Sequence, residues 1–346
     1  MAKTLETQRL RRPLVLTHDP ASALFQRGHA AAAESRRLAR LQRVRRALQL
    51  SFFLLFLSAP ALNLLRFDLT ETQLWVLGWR WSLGIDALVR GETTSTQAAL
   101  SIMLRGILPA VLFVAAFMTV AYRYGRLYCG WLCPHFSLVE TLNDLLHRAS
   151  GKLSLWDRHT TPMGARQPQR RWWPLFFVSC AFFGFLWAIT LLTYLLPPAQ
   201  VWGNLVQGSL TPNQARFIAI GSTIFTLEFL FARHLFCRFG CAVGLFQSLA
   251  WMANPKGLVI SFDRSRARDC RSCSTHKAPG GAACDHACPM RLTPRNIKRL
   301  MFACVQCGQC ITECESSSAA QQRQPNLEWT VGLDALRETL RQRREP

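Results

Sequence analysis

The chain has 346 residues, half of them hydrophobic (50%), with 22 Phe and 11 Trp against 4 Tyr, which is too apolar for an ordinary soluble domain. Its formal charge of +21 taken alone would suggest nucleic acid, but no basic module interleaved with aromatics accompanies it. Basic loops facing anionic lipid account for the same charge, and thirteen cysteines at metal-like rather than disulfide-like spacings call for a reducing, cytoplasmic environment.

Residues 1–46 carry eleven Lys/Arg against Glu6, Asp19 and Glu34. They read as a basic cytoplasmic arm lying on the inner membrane surface or partly disordered. No secretory signal is expected, because the apolar run begins late and lacks a small-residue cleavage site. Four apolar runs follow within a transmembrane domain over 47–254: Ala47–Leu65, Leu104–Ala121, Trp173–Leu196 and Phe217–Phe236. Each is near the twenty or so residues that a bilayer core requires. The segment 122–172 carries eight Lys/Arg and 197–215 carries none, so the positive-inside rule predicts four crossings with both termini cytoplasmic. Between spans, 66–100 reads as an interfacial hairpin with Trp anchors and 199–215 as a small polar loop.

Spans two and four run into matching cysteine pairs, Cys129-Gly-Trp-Leu-Cys133-Pro134 and Cys237-Arg-Phe-Gly-Cys241. Spacing i,i+4 would put both thiols of a pair on one helix face, and an amphipathic stretch follows each pair. The membrane part therefore reads as two similar hairpins, a parallel repeat about the membrane normal. The four thiols are a candidate second metal or redox site: one tetrathiolate centre, two dithiols, or a soft site for copper. Packing as small hydrophobes is the bland alternative, and it is the expected role of the solitary Cys180. Glu228 inside span four and His234 near its inner end are candidates for proton handling beside a quinone, against a packed pair of Glu228 with Arg233 or Arg105. His135 and Glu140 rank below them, and His147 is expected on a solvated face.

Residues 255–316 hold eight further cysteines, Cys270-x2-Cys273-x10-Cys284-x3-Cys288-Pro289 and Cys304-x2-Cys307-x2-Cys310-x3-Cys314. The second run has the spacing with which bacterial ferredoxins hold a [4Fe–4S] cluster. In two-cluster ferredoxins the fourth thiolate comes from the other motif, so the resemblance implies two sets: Cys270, Cys273, Cys284 and Cys314, then Cys304, Cys307, Cys310 and Cys288. A zinc tetrathiolate would use four thiols and leave four unexplained. The ten residues before Cys284 read as an inserted loop and make His276, Asp285 and His286 its local competitors. Residues 317–346 form a polar tail with a short helix expected around Leu333–Leu340.

With both pairs and both cluster motifs in hand, residues 40–316 resemble the membrane polyferredoxins. These include the NapH-type quinol dehydrogenase subunits, the C-terminal half of NosR-type regulators, and the CcoG (FixG/RdxA) oxidase accessory proteins. YCGWLCP at 128–134, CRFGC at 237–241 and the eight-cysteine module carry the resemblance. Ala242 stands where those relatives usually have a second proline, and Glu315 follows Cys314. The C-terminal immunoglobulin-like domain of the copper-reducing group and the N-terminal flavin domain of the NosR group find no counterpart, which suggests the shorter NapH-type members. The expected fold is an α-helical membrane protein, four transmembrane helices as two hairpins plus a small α+β two-cluster ferredoxin-like domain. The expected role is electron transfer at a bacterial inner membrane, between the quinone pool and a membrane cytochrome or other respiratory partner. The alternative is a cupric reductase or copper-handling factor for respiratory oxidase or reductase assembly.

Overall fold

A computed structural model describes residues 20–71, 73–161, 167–273, 282–321 and 323–344. Helix α1 (Pro20–Ser58) ends at Ser58, short of the Leu65 expected from hydropathy. Pro60 has no N–H to continue the helical ladder and disfavours the helical conformation of the residue before it. The chain turns over Ala59–Asn63 into an antiparallel meander, β1 (Leu65–Asp68), β2 (Gln73–Val76) and β3 (Trp79–Trp81). This is the Trp-bearing hairpin read from the sequence, with one strand more. Phe67 and Leu69 donate backbone hydrogen bonds to the carbonyls of Tyr194 and Leu195, both 2.9 Å, fixing the meander to the far end of the third apolar run.

Short α2 (Ile85–Val89) leads to α3 (Ser95–Ile102), which opens on a Thr94–Gln97 capping box. A π turn over Met103–Ile107 joins α3 to α4 (Leu108–Tyr124). Pro109 cannot donate to the Arg105 carbonyl four residues back, and the Trp81 indole N–H takes that acceptor instead at 2.9 Å. Then come α5 (Leu127–Trp131), α6 (Pro134–Ser150), α7 (Trp173–Thr193) and α8 (Pro198–Gln207). Helix α8 lies where a polar loop was expected. After α9 (Pro212–Leu227) the helix unwinds into a wider π turn at Glu228–Ala232, breaks at α10 (Arg233–Leu235), and makes a second π turn at Phe236–Gly240 before α11 (Ala242–Ala253). Arg233 caps its own break: Nη1 donates to the carbonyls of Phe229 (3.0 Å) and Leu230 (2.8 Å).

Among the described residues, three helical stretches are long and apolar enough to cross a membrane: Ser95–Tyr124, Arg170–Thr193 and Pro212–Gly240. The apolar part of α1 is not among them, since only Ala47–Ser58 remains helical. None of the apolar window of Ser95–Tyr124 is buried inside the protein, so its side chains are left to lipid. Helices α7 and α9 approach closely at small residues. An added Cβ at Gly184 would collide with Thr226, and one at Gly221 would stand 3.1 Å from the Ala188 Cβ.

Helices α7 and α9 pack closely on each other, as expected of the second hairpin, and the two halves interlock through the helices that follow the cysteine pairs. Helix α6, which follows the first cysteine pair, packs on α7 of the second half, while α11, which follows the second pair, packs on α4 of the first half. Leu138, Leu142 and Leu146 of α6 bury against Phe176, Trp187 and Phe229. Buried apolar area of this kind is the main favourable term holding the exchange.

The C-terminal module is α+β. Strands β4 (Val259–Phe262) and β5 (Leu327–Thr330) pair antiparallel and enclose a 3-10 segment (Arg264–Ser272), α12 (Ala283–His286) and α13 (Gln309–Ala319). Helix α14 (Leu333–Arg344) follows, where the sequence expected a short one.

Candidate functional site

The eight cysteines of the C-terminal module line two separate cavities. Cys270, Cys273, Cys284 and Cys314 line one, with Asn326. Cys288, Cys304, Cys307 and Cys310 line the other, with Ile260 and Met290. Of the competitors to Cys284, Asp285 is paired with Arg295 at 2.6 Å, His286 lines neither cavity, and His276 lies outside the described residues. Local backbone explains the wrap of the second loop. Gln306 and Gly308 both adopt positive φ (52° and 73°), folding the chain back on itself between closely spaced thiols. Gly308 also packs under the Trp329 ring, where a side chain would not fit.

These cavities suit iron–sulfur clusters on two observations. Burial pushes the Cys307 thiol up to about 12, and those of Cys284, Cys288, Cys304, Cys310 and Cys314 also upward. Burial disfavours the free thiolate there, so a ligand role for these thiols requires that a bound metal supply the positive charge. Further, no three His, Cys, Asp or Glu among the described residues converge as a single metal ion would need; a cubane spreads its thiolates more widely. Amide donors reach the sulfurs: Leu292 N–H to Cys288 at 3.4 Å and Asn326 Nδ2 to Cys270 at 3.5 Å.

The second motif is latched to the N-terminal helix. Gln42 donates to the Cys307 carbonyl at 3.0 Å. Arg45, fully buried, makes a two-pronged pair with Glu140 of α6 (2.6 and 3.0 Å) and donates to the Gly130 carbonyl at 3.2 Å. Gln49 donates to the same carbonyl and carboxylate, and Gln309, between Cys307 and Cys310, also donates to Glu140. Burial pushes the Glu140 carboxyl up, but Arg45 and Arg46 outweigh it and hold the group below its ordinary range.

The CxxxC pairs depart from the helical i,i+4 expectation. Cys129 lies in the middle of the short helix α5, whereas Cys133 is extended (φ −60°, ψ 118°) as the N-cap of α6. Cys237 lies in a π turn and Cys241 is extended (φ −83°, ψ 108°) as the N-cap of α11. Pro134 enforces the break in the first pair; Ala242 takes the same geometry without that constraint. The Cys129–Cys133 loop docks on the ferredoxin loop. Gly130 abuts the Val305 carbonyl, and the Trp131 indole donates to the Gln306 carbonyl at 3.0 Å.

Exchange between halves decides what surrounds the pairs. Gln247 of α11 reaches Cys129 Sγ at 3.5 Å, and His135 of α6 lies 3.5 Å from Cys237 Sγ. Arg126, three residues before Cys129, crosses to the Cys237 carbonyl (2.8 Å) and to Ser248 of α11. Glu228 pairs with His135 (Nε2 to Oε2, 2.9 Å), not with Arg233 or Arg105. Its Oε1 is buried with no partner, and the His135 ring packs among Trp187, Phe229 and Phe236. His234 is buried elsewhere, lining a cavity with Glu140, Asn143 and His147. His147 is not solvated as expected: it is buried against the Thr161 carbonyl at 2.8 Å. Cys180 packs in the α6–α7 core as expected.

Sequence reasoning placed His135 and Glu140 below Glu228 and His234 and did not single out Arg126, Gln247, Arg45 or Gln309; the structure sets His135 and Glu140 in ion pairs with Glu228 and Arg45. The one available signal was intramembrane-edge charge: Arg126 and Arg45 sit beside apolar runs, where an arginine needs a partner.

A family described as "4Fe-4S binding domain" (Fer4_5) matches residues 107–152, a stretch that contains Cys129 and Cys133. A curated relative, "Putative electron transport protein YccM" of Escherichia coli (strain K12), is 24% identical over 240 residues, 67% of this chain. The chain spans 58% of the length of that relative. No solved structure matches the chain. With the three apolar helices, these likenesses support an iron–sulfur electron-transfer protein associated with a membrane.

Proposed function

We propose that the chain is a membrane-anchored electron-transfer subunit of a bacterial inner membrane, exchanging electrons between the quinone pool and a respiratory partner such as a membrane cytochrome. In this reading both termini are cytoplasmic, and the ferredoxin-like module sits at the inner ends of four crossings, the first made by the apolar end of α1. The observation that carries it is the sorting of eight cysteines into two cavities of four, in the crossed-over sets of a two-cluster ferredoxin. Clusters bound there supply one-electron transfer, and two one-electron sites match a two-electron donor such as a quinol.

Glu228 and His135 are the residues suited to the accompanying protons. They form a pair at the edge of the apolar region, beside Cys237, with one carboxylate oxygen left unpartnered. The copper-handling reading draws less support, because no three candidate ligands among the described residues meet at single-ion spacing.

Anaerobic purification followed by low-temperature EPR with and without a quinol tests the proposal. Quinol is expected to reduce the ferredoxin-type signals. The variant Glu228→Gln is expected to keep its iron while quinol reduction slows by about a hundredfold, the low end for lost general-base catalysis. Clusters that ignore quinol but pass electrons to stoichiometric Cu(II), with copper retained, would overturn it.

A further inference from the structure

We propose that Cys129, Cys133, Cys237 and Cys241 together hold a third iron–sulfur cluster, a [4Fe–4S] centre shared between the two halves, with Arg126 as its counter-charge. The electron-transfer role of such a centre rests on the function proposed above; its presence does not.

The four thiols come from segments more than a hundred residues apart and are all free, yet Cys129, Cys133 and Cys237 pack against one core cluster, and Arg126, three residues before Cys129, reaches the Cys237 carbonyl at 2.8 Å. Each pair has the same build, a first cysteine in a helical turn and a second at an extended N-cap, so the two halves present their thiols alike. Crossing of α6 and α11 between the halves is what brings the pairs together. A single ion bound by four thiolates needs the sulfurs nearly in contact, with metal–sulfur bonds of about 2.3 Å. Among the described residues no such convergence exists.

Arg126 is the independent observation. It is 1% exposed, and its Nη2 has no hydrogen-bond partner. Its other donors are taken by a hydroxyl and a backbone carbonyl, and no carboxylate pairs with it among the described residues. Of the proposed ligands Cys129, Cys237 and Cys241 lie around it, with Cys304 of the ferredoxin motif on its other side. A buried guanidinium without an anion costs several kcal/mol, and neutral thiols do not answer it. A cluster held by four thiolates is a net anion at that spot. Gln247 and His135 add polar groups at 3.5 Å from Cys129 Sγ and Cys237 Sγ, as hydrogen bonds to cluster sulfurs require. The "4Fe-4S binding domain" match covers 107–152, hence the first pair and none of the eight C-terminal cysteines. The site also adjoins the Cys304–Cys307 loop through Gly130 and Trp131, so a centre here continues the line of redox sites toward the membrane.

Iron and acid-labile sulfide in the anaerobically purified full chain decide the matter. About twelve of each per chain are expected, four per cluster. The double variant Cys129→Ser/Cys237→Ser is expected to fall to about eight of each while keeping both ferredoxin-type EPR signals. Arg126→Gln is expected to move the midpoint potential of the third signal to more negative values and leave the other two in place. Wild-type protein with about eight iron, unchanged by the double substitution, would overturn the inference, as would copper or zinc bound at the four thiols. Twelve iron with no reduction by quinol would sink the quinone reading and leave this one standing. Eight iron with quinol reduction would do the reverse.

Discussion

Gly130→Ala is expected to destabilise the protein by about 3 kcal/mol, the upper end for overpacking a close contact, and to loosen the ferredoxin-like module from the membrane helices. An added Cβ would collide with the Val305 carbonyl oxygen, a backbone atom that cannot swing aside. The same residue's own carbonyl receives Arg45 and Gln49, so moving Gly130 away from Val305 also strains the latch to α1. Gly203→Ala is the control, since nothing lies within 4 Å of a Cβ there and the residue sits inside α8. That change is expected to be neutral or stabilising by up to about 1 kcal/mol, from helix propensity. Thermal unfolding in detergent, with limited proteolysis at the junction 254–259, measures both variants. Equal behaviour of the two would show that the docking of the first cysteine pair on Val305 is not structural.

Glu140→Gln is expected to cost roughly 3–5 kcal/mol, the range for breaking a buried ion pair by removing one partner. Arg45 is 0% exposed, so the substitution strands a guanidinium out of reach of water. Combining it with Arg45→Met is expected to recover part of the loss, because the stranded guanidinium charge is then removed. The pH dependence has a definite sign. The folded-state pKa of Glu140 lies below its ordinary 4.5. Its contribution to stability is therefore complete above about pH 4.5 and is lost as pH falls through the lower folded value. Acid unfolding curves of wild type and Glu140→Gln are expected to converge below that point. Parallel curves with a constant gap would show that the loss is one of packing alone.

The cysteine spacings made most of the candidate site legible. Cys304, Cys307 and Cys310 sit on a loop so short that only a few conformations satisfy it, and the same holds for Cys284 and Cys288 around α12. The three long apolar helices were also readable, because a bilayer imposes a length and hydrophobicity that local sequence must meet. The ends of these helices were not. Pro60 cut α1 at Ser58, and Pro109 and Glu228 lie at π turns whose freed carbonyls are met by Trp81 and Arg233, residues that hydropathy does not connect to them.

Which residue types could bind metal, how many thiols each motif offers, and where apolar helices run could all be read from the chain alone. Those properties are local: they depend on spacing within a few residues or on the composition of a twenty-residue window. Long-range packing set α6 against α7 and α11 against α4, interlocking the halves. It also paired Glu228 with His135 rather than with Arg233, and set the buried Arg126 between the two cysteine pairs, bonded to the Cys237 carbonyl. Such choices are settled by shape and by the cost of burying an unpaired charge, and both are summed over contacts between residues far apart in the chain.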